Sequence, residues 1–155
     1  MTDKRKTRHE RRRQTPELID HMLAERNQLF TLLLRVSGIK TDAPGKRDHD
    51  LLNEFCQVMV DYIAAGHFGL YERIIEKKER RKSVSNIAVK VYPYIDETTQ
   101  LSLSFNERYD SANHNTDFSK FPQDLSRLGE ALTTRIELED KLINQMLEPG
   151  GSVQA

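Results

Sequence analysis

From Leu125 to Met146 apolar residues recur at intervals of three or four: Leu125, Leu128, Leu132 and Ile136, then Leu142, Ile143 and Met146. That period places them along one side of a helix of about 27 residues, too long and too one-sided to stand alone in water. Such an element has to bury its stripe against others like it. The rest of the chain offers similar partners, and no segment alternates apolar and polar residues as a half-buried strand would. The sequence therefore predicts an all-α fold.

The first long helix is expected to begin at Thr15, with Pro16 at its first position and Glu17 at the positive helix end. Its apolar residues are Leu18, Ile19, Met22, Leu23, Leu29, Phe30, Leu33 and Leu34, and Gly38 is suited to end it. GIKTDAPGKRD reads as a loop. A second helix runs from about Asp48 to Ala65, with Leu51, Leu52, Phe55, Met59, Tyr62 and Ile63 on its apolar side. Gly66 is expected to break or bend it. A third, from about Phe68 to Arg81, would bury Phe68, Tyr71, Ile74 and Ile75, with the charged tail EKKERRK in solvent. Ser83 or Ser85 can cap a fourth, kinked or interrupted at Pro93, whose pattern resumes through Ile95, Leu101, Phe105 and Tyr109. DSANHNTD is a loop, the last helix spans about Phe118 to Leu147, and EPGG ends it. The expected architecture is an antiparallel four-helix-type bundle with extra short helices. It divides into a disordered basic arm (1–14), one bundle domain (15–148) and a flexible tail (149–155).

A chain of 155 residues with 37% hydrophobic and 31% charged residues suits one domain with a real core. A single cysteine, Cys56, excludes an internal disulfide framework and a cysteine zinc site. No apolar run approaches a membrane span, and charge rather than an apolar core follows the basic N-terminus, so the cytoplasm is the expected location. The net charge of zero conceals an asymmetry: residues 1–13 hold seven Lys or Arg against Asp3 and Glu10, leaving the remaining chain at −5. Between Asp48 and Glu72 lie five acidic residues and no Lys or Arg. An acidic body repels nucleic acid and attracts basic partners; direct nucleic-acid binding is conceivable only through the arm.

The acidic window contains VDYIAAGHFGLYE, residues 60–72. His67 and Glu72 as metal ligands are one reading; a surface shaped for another protein is the other. Metal sites in bundles of the di-iron type use Glu-x-x-His pairs on one helix face, and this chain has none. His67 and Glu72 are five residues apart, about 140° around a straight helix, which suits joint ligation poorly. Hydrogen bonding of His67 near a bend at Gly66 is the simpler account. No phosphate-cradling glycine loop occurs, Cys56 falls in an apolar pattern, and Glu139 and Asp140 would need a cleft to act as acid and base. No metal, cofactor or catalytic residue is assigned.

Three blocks resemble the Rsd/AlgQ family, the regulators of sigma D. They are FCQVMVDYIAAGHFGLYERI (55–74), ELIDHMLAERNQL (17–29) and LGEALTTRIELEDKLI (128–143), in that order along the chain. The resemblance implies a cytoplasmic, non-enzymatic anti-sigma factor active in stationary phase. It would bind the primary sigma factor one to one through its basic, DNA-reading region 4, and sequester it from core RNA polymerase and promoter DNA. Carried onto this chain, the contact surface is Asp61, Ala64, Ala65, Phe68 and Tyr71, flanked by Leu18, His21, Met22 and Glu25. Asp61 would offer a charge-assisted bond to arginine, the small residues close approach, and Phe68 an anchor. Asp61 and Tyr71 as internal polar groups, and Phe68 and Tyr71 as core, remain the competing readings. A bundle binding a metal or small ligand is the alternative function.

Overall fold

The computed structural model describes residues 4–75, 82–110 and 116–147. Four long helices make the bundle: α1 (Lys4–Val36), α2 (Lys46–Ala65), α4 (Lys82–Tyr109) and α5 (Phe121–Leu147). A π-helical stretch, Gly66–Tyr71, and the short α3 (Glu72–Ile75) continue α2. Helix α1 packs along α2, α4 along α5, and α2 bridges to α4. The charged tail at 76–81, the loop residues 111–115 and the C-terminal residues 148–155 lie outside the described residues.

The elements start and stop for local reasons, with three departures from expectation. Helix α1 begins at Lys4, so the backbone is helical where a disordered arm was expected, and Thr15 and Pro16 lie inside a helix rather than at its start. Lys, Arg, Glu and Gln are good helix formers, and the helix continues through them from the packed segment. Helix α2 opens at Lys46, two residues before the expected Asp48, whose carboxylate accepts the Gly45 N–H at 2.9 Å. Helix α4 passes through Pro93 uninterrupted. Pro93 is exposed and Val89, four residues back, is 75% exposed, so water can satisfy the carbonyl that the proline leaves without a donor.

Two apolar clusters fill the bundle. One joins Leu29, Leu32 and Val36 with Phe55, Met59, Phe105, Tyr109, Phe121, Leu125, Leu128 and Leu132. The other joins Ile19 and Met22 with Leu70, Tyr71, Ile74, Val84, Ala88, Val91, Ile95, Leu142, Ile143 and Met146. Between them lies a polar layer to which all four long helices contribute: Arg26 from α1, Tyr62 from α2, Thr98 from α4, Arg135 and Glu139 from α5. Each of these is buried. At the first cluster's end, Asp124 in the first turn of α5 accepts from Tyr109 Oη at 2.6 Å and Arg108 Nη1 at 2.8 Å. Burial pushes the Asp124 carboxyl up, but those two donors outweigh it and hold it below the usual carboxylate range.

Candidate functional site

The polar layer is built around Glu139, which is fully buried. Arg135, one turn earlier on α5 and 1% exposed, donates from Nε to Glu139 Oε2 at 3.1 Å. Its Nη1 donates to Thr99 Oγ1 at 2.6 Å, Thr98 Oγ1 at 3.2 Å and the Ile95 carbonyl at 3.4 Å, fixing α5 to α4. The Tyr62 hydroxyl donates to Glu139 Oε1 and accepts from Arg26 Nε at 3.1 Å. Arg26 Nη2 stands 3.7 Å from Glu139 Oε1, and its Nη1 reaches Asp140 Oδ1 at 2.7 Å. Burial raises Glu139 above the ordinary carboxylate range, against the lowering effect of Arg135, Tyr62 and Arg26. It also drives the Tyr62 and Tyr71 hydroxyls well above theirs. A carboxylate this deep demands its cations, because an unpaired buried charge is costly.

This layer explains the small residues of VDYIAAGHFGLYE. Gly66 was expected to break or bend the helix; it keeps ordinary right-handed helical angles, φ −62° and ψ −45°, and opens the π-helical stretch. A Cβ there would lie 2.9 Å from Glu139 Oε2 and 3.6 Å from Arg135 Nη2. A Cβ on Gly69 would meet Leu18 Cδ1 at 2.6 Å. Leu18 is half-buried and can turn aside, whereas the Glu139 oxygen is held by Arg135. Gly66→Ala is therefore expected to destabilise the fold, because overpacking of about 1–3 kcal/mol exceeds the roughly 1 kcal/mol gained in helix propensity. Gly69→Ala should stay within about 1 kcal/mol of the parent, and paired denaturant titrations read both.

A π-helical stretch accommodates an extra residue per turn and is often found at functional positions. Here it leaves Phe68 66% exposed with the His67 ring edge-on at 5.0 Å, while Leu70 and Tyr71 turn into the core. Phe68, expected to be buried in the third helix, is thus on the surface. Asp50, Glu54, Gln57 and Asp61 precede it at helical intervals, all exposed, and Gln57 Nε2 donates to Asp61 Oδ1 at 3.1 Å. Asp61 is a surface group and not part of the internal network. An acidic stripe thus runs along α2 and ends at an exposed aromatic ring.

Beside the stripe a groove of about 260 Å³ separates α2 and its π-helical extension from α4. Val60, Ile63, Ala64 and Phe68 form one wall, Tyr92 and Leu103 the other, Asp96 stands at the rim and Arg135 lies in the floor. Ala64, Phe68 and Tyr71 share this groove, but Tyr71 is 2% exposed and lies beneath the surface, its hydroxyl buried without a hydrogen bond. Met22 is likewise wholly buried in the second apolar cluster, and half-buried Ala65 packs against that cluster. Leu18 lies against Gly69. His21 is exposed, its Nε2 3.2 Å from Glu25 Oε1. The α4 wall was not anticipated. Its signal was present: Val89, Tyr92, Tyr94 and Leu103 are apolar or aromatic yet fall off the stripe of Val84, Ala88, Val91, Ile95 and Phe105.

Among the described residues no three His, Cys, Asp or Glu side chains converge as metal ligands would, and no helix is long and apolar enough to cross a membrane. Cys56 is buried and its thiol is pushed up to about 12 by burial and by the charge of Asp110.

Fold and surface together define an all-α antiparallel bundle with a buried ionic layer and an acidic, aromatic-tipped helix face. Residues 1–147 match the family model described as regulator of RNA polymerase sigma(70) subunit, Rsd/AlgQ. The chain is 38% identical over 145 residues to the regulator of sigma D of Shigella dysenteriae serotype 1 (strain Sd197), covering 90% of this chain and 89% of that protein. It is 40% identical over 139 residues to the regulator of sigma D of Yersinia enterocolitica serotype O:8 / biotype 1B, covering 85% and 81%. The match to the same regulator of Escherichia coli (strain K12 / DH10B) is 38% over 145 residues, covering 90% and 89%. The chain belongs to the Rsd/AlgQ family of sigma(70) regulators.

Proposed function

We propose that this protein is a non-enzymatic anti-sigma factor that binds the primary sigma factor one to one and masks its region 4. Bound there, it keeps sigma from core RNA polymerase and promoter DNA. The observation that carries this reading is the α2 face: exposed Asp50, Glu54 and Asp61 in line with exposed Phe68, with no Lys or Arg between Asp48 and Glu72. A basic helix-turn-helix module that reads phosphates meets on this face carboxylates in place of phosphates, and an aromatic ring at its end. Charge complementarity of this kind supplies steering and partner choice, and the ring supplies the desolvated anchor. Leu18, His21 and Glu25 flank the face from α1, while Met22 and Tyr71 support it from below.

The test is displacement. Increasing amounts of the protein should release fluorescent promoter DNA from sigma-bound complexes. Asp61→Ala should weaken the effect roughly tenfold, as expected for one charge-assisted hydrogen bond of about 1.5–3 kcal/mol. The competition should also fall with added salt. Asp61 is exposed, so the variant should keep the parent's helicity and melting. Undiminished displacement by Asp61→Ala would remove that residue from the contact.

A further inference from the structure

The charges of this chain are segregated in space as well as in sequence. Residues 1–13 carry a net +5, and the window from Asp48 to Glu72 carries five acidic residues and no basic one. Helix α1 is unbroken from Lys4. Gly66 faces Met22, Gly69 faces Leu18 and Tyr62 bonds Arg26, so α1 and α2 run antiparallel with Asp61 level with about residue 26. At about 1.5 Å per residue, Arg13 then stands roughly 20 Å along the axis from Asp61, and Arg5 and Arg12 stand farther off. A kink at Pro16 deflects a helix but does not turn it back. The helix that carries the basic arm therefore holds it away from the acidic face of its own chain.

The geometry points to a second copy of this chain as the occupant: the basic arm of one molecule docks on the acidic Glu54–Asp61–Phe68 face of another, and the exchange is reciprocal. Arg5 and Arg12 are seven residues apart, as are Glu54 and Asp61. Two helices side by side close both pairs at once, since seven residues return to nearly the same face after two turns. Arginine also stacks on an exposed aromatic ring, and Phe68 presents one at the end of the stripe. Reciprocal exchange makes a closed two-fold dimer rather than a filament. The dimer covers the face assigned above to sigma, so the free protein is self-masked at high concentration; that consequence rests on the proposed function, whereas the self-contact does not.

Sedimentation of the full chain without sigma tests it. The wild type should dimerise with rising concentration in low salt and dissociate as salt is raised. Arg5→Glu/Arg12→Glu and Glu54→Arg/Asp61→Arg should each be monomeric alone, because arm and face then carry the same sign. Mixed one to one, the two variants should dimerise again, a result that misfolded variants could not give. A wild type that stays monomeric at every concentration would overturn the proposal, as would dimers that persist in the arm variant or a mixture that stays monomeric. Arm-dependent binding to duplex DNA by a protein that remains monomeric would assign the arm to nucleic acid and overturn it equally. Because sigma is absent, failure here leaves the sigma-binding reading to its own test.

Discussion

Arg135→Met is expected to lower the stability of the bundle by about 3–5 kcal/mol near neutral pH, the usual result of breaking a buried ion pair from one side. The guanidinium leaves Glu139 fully buried, with Oε2 deprived of its donor and only Tyr62 and the more distant Arg26 remaining on Oε1. It also removes the link from α5 to Thr98, Thr99 and the Ile95 carbonyl of α4. The loss should depend on pH with a definite sign. Burial already raises Glu139 in the folded state, so its contribution is most favourable below the unfolded carboxylate range and declines as pH rises through the folded value. Removing Arg135 raises that folded value further. The variant should therefore lie closest to the parent in mild acid, where Glu139 can be neutral, and fall away as pH rises. Arg135→Met/Glu139→Leu should recover most of the loss, because the charge that needed a partner is gone. Urea unfolding of parent, single and double variants at two pH values reads all three. A single-variant loss that is the same at both pH values would show that Glu139 is not the group left stranded.

Phe68→Ala is expected to weaken sigma binding by about 2 kcal/mol, roughly thirtyfold, the scale of an aromatic anchor at an interface centre. It should leave the fold nearly untouched, since the ring is 66% exposed. The contrast is with Tyr71→Ala three residues later, where a 2% exposed ring is withdrawn from the second apolar cluster and stability falls first. Binding isotherms alongside melting curves separate the two. Phe68→Ala protein that melts as the parent does and binds sigma equally well would take the ring out of the interface.

These contrasts show which parts of the molecule were legible in its residues. The stripes of α2 and α5 predicted helices because apolar period and burial coincide there: Leu52, Phe55, Met59 and Tyr62, and Leu125, Leu128 and Leu132, are all in the core. The polar layer was hidden by the same rule. Arg135 and Glu139, four apart, have the spacing of a solvated surface pair, and only the arrival of Tyr62 and Arg26 from other helices makes them interior. Gly66 suggested a break because propensity is local, whereas its reason is the Glu139 oxygen lying 2.9 Å from where a Cβ would stand. Phe68 was placed inside because α-helical counting carries through residues 66–71, and the π-helical turn shifts that register. The acidity of α2, by contrast, was visible at once, because carboxylates without basic neighbours in sequence remain without them along one helix face.

The central claim is met most directly by calorimetric titration of the full chain with the isolated region 4 of its own organism's primary sigma factor. Saturable one-to-one binding is predicted, weakened by salt and by Asp61→Ala or Phe68→Ala. Absence of binding at concentrations well above micromolar would contradict it, and the acidic α2 face would then belong to a different partner.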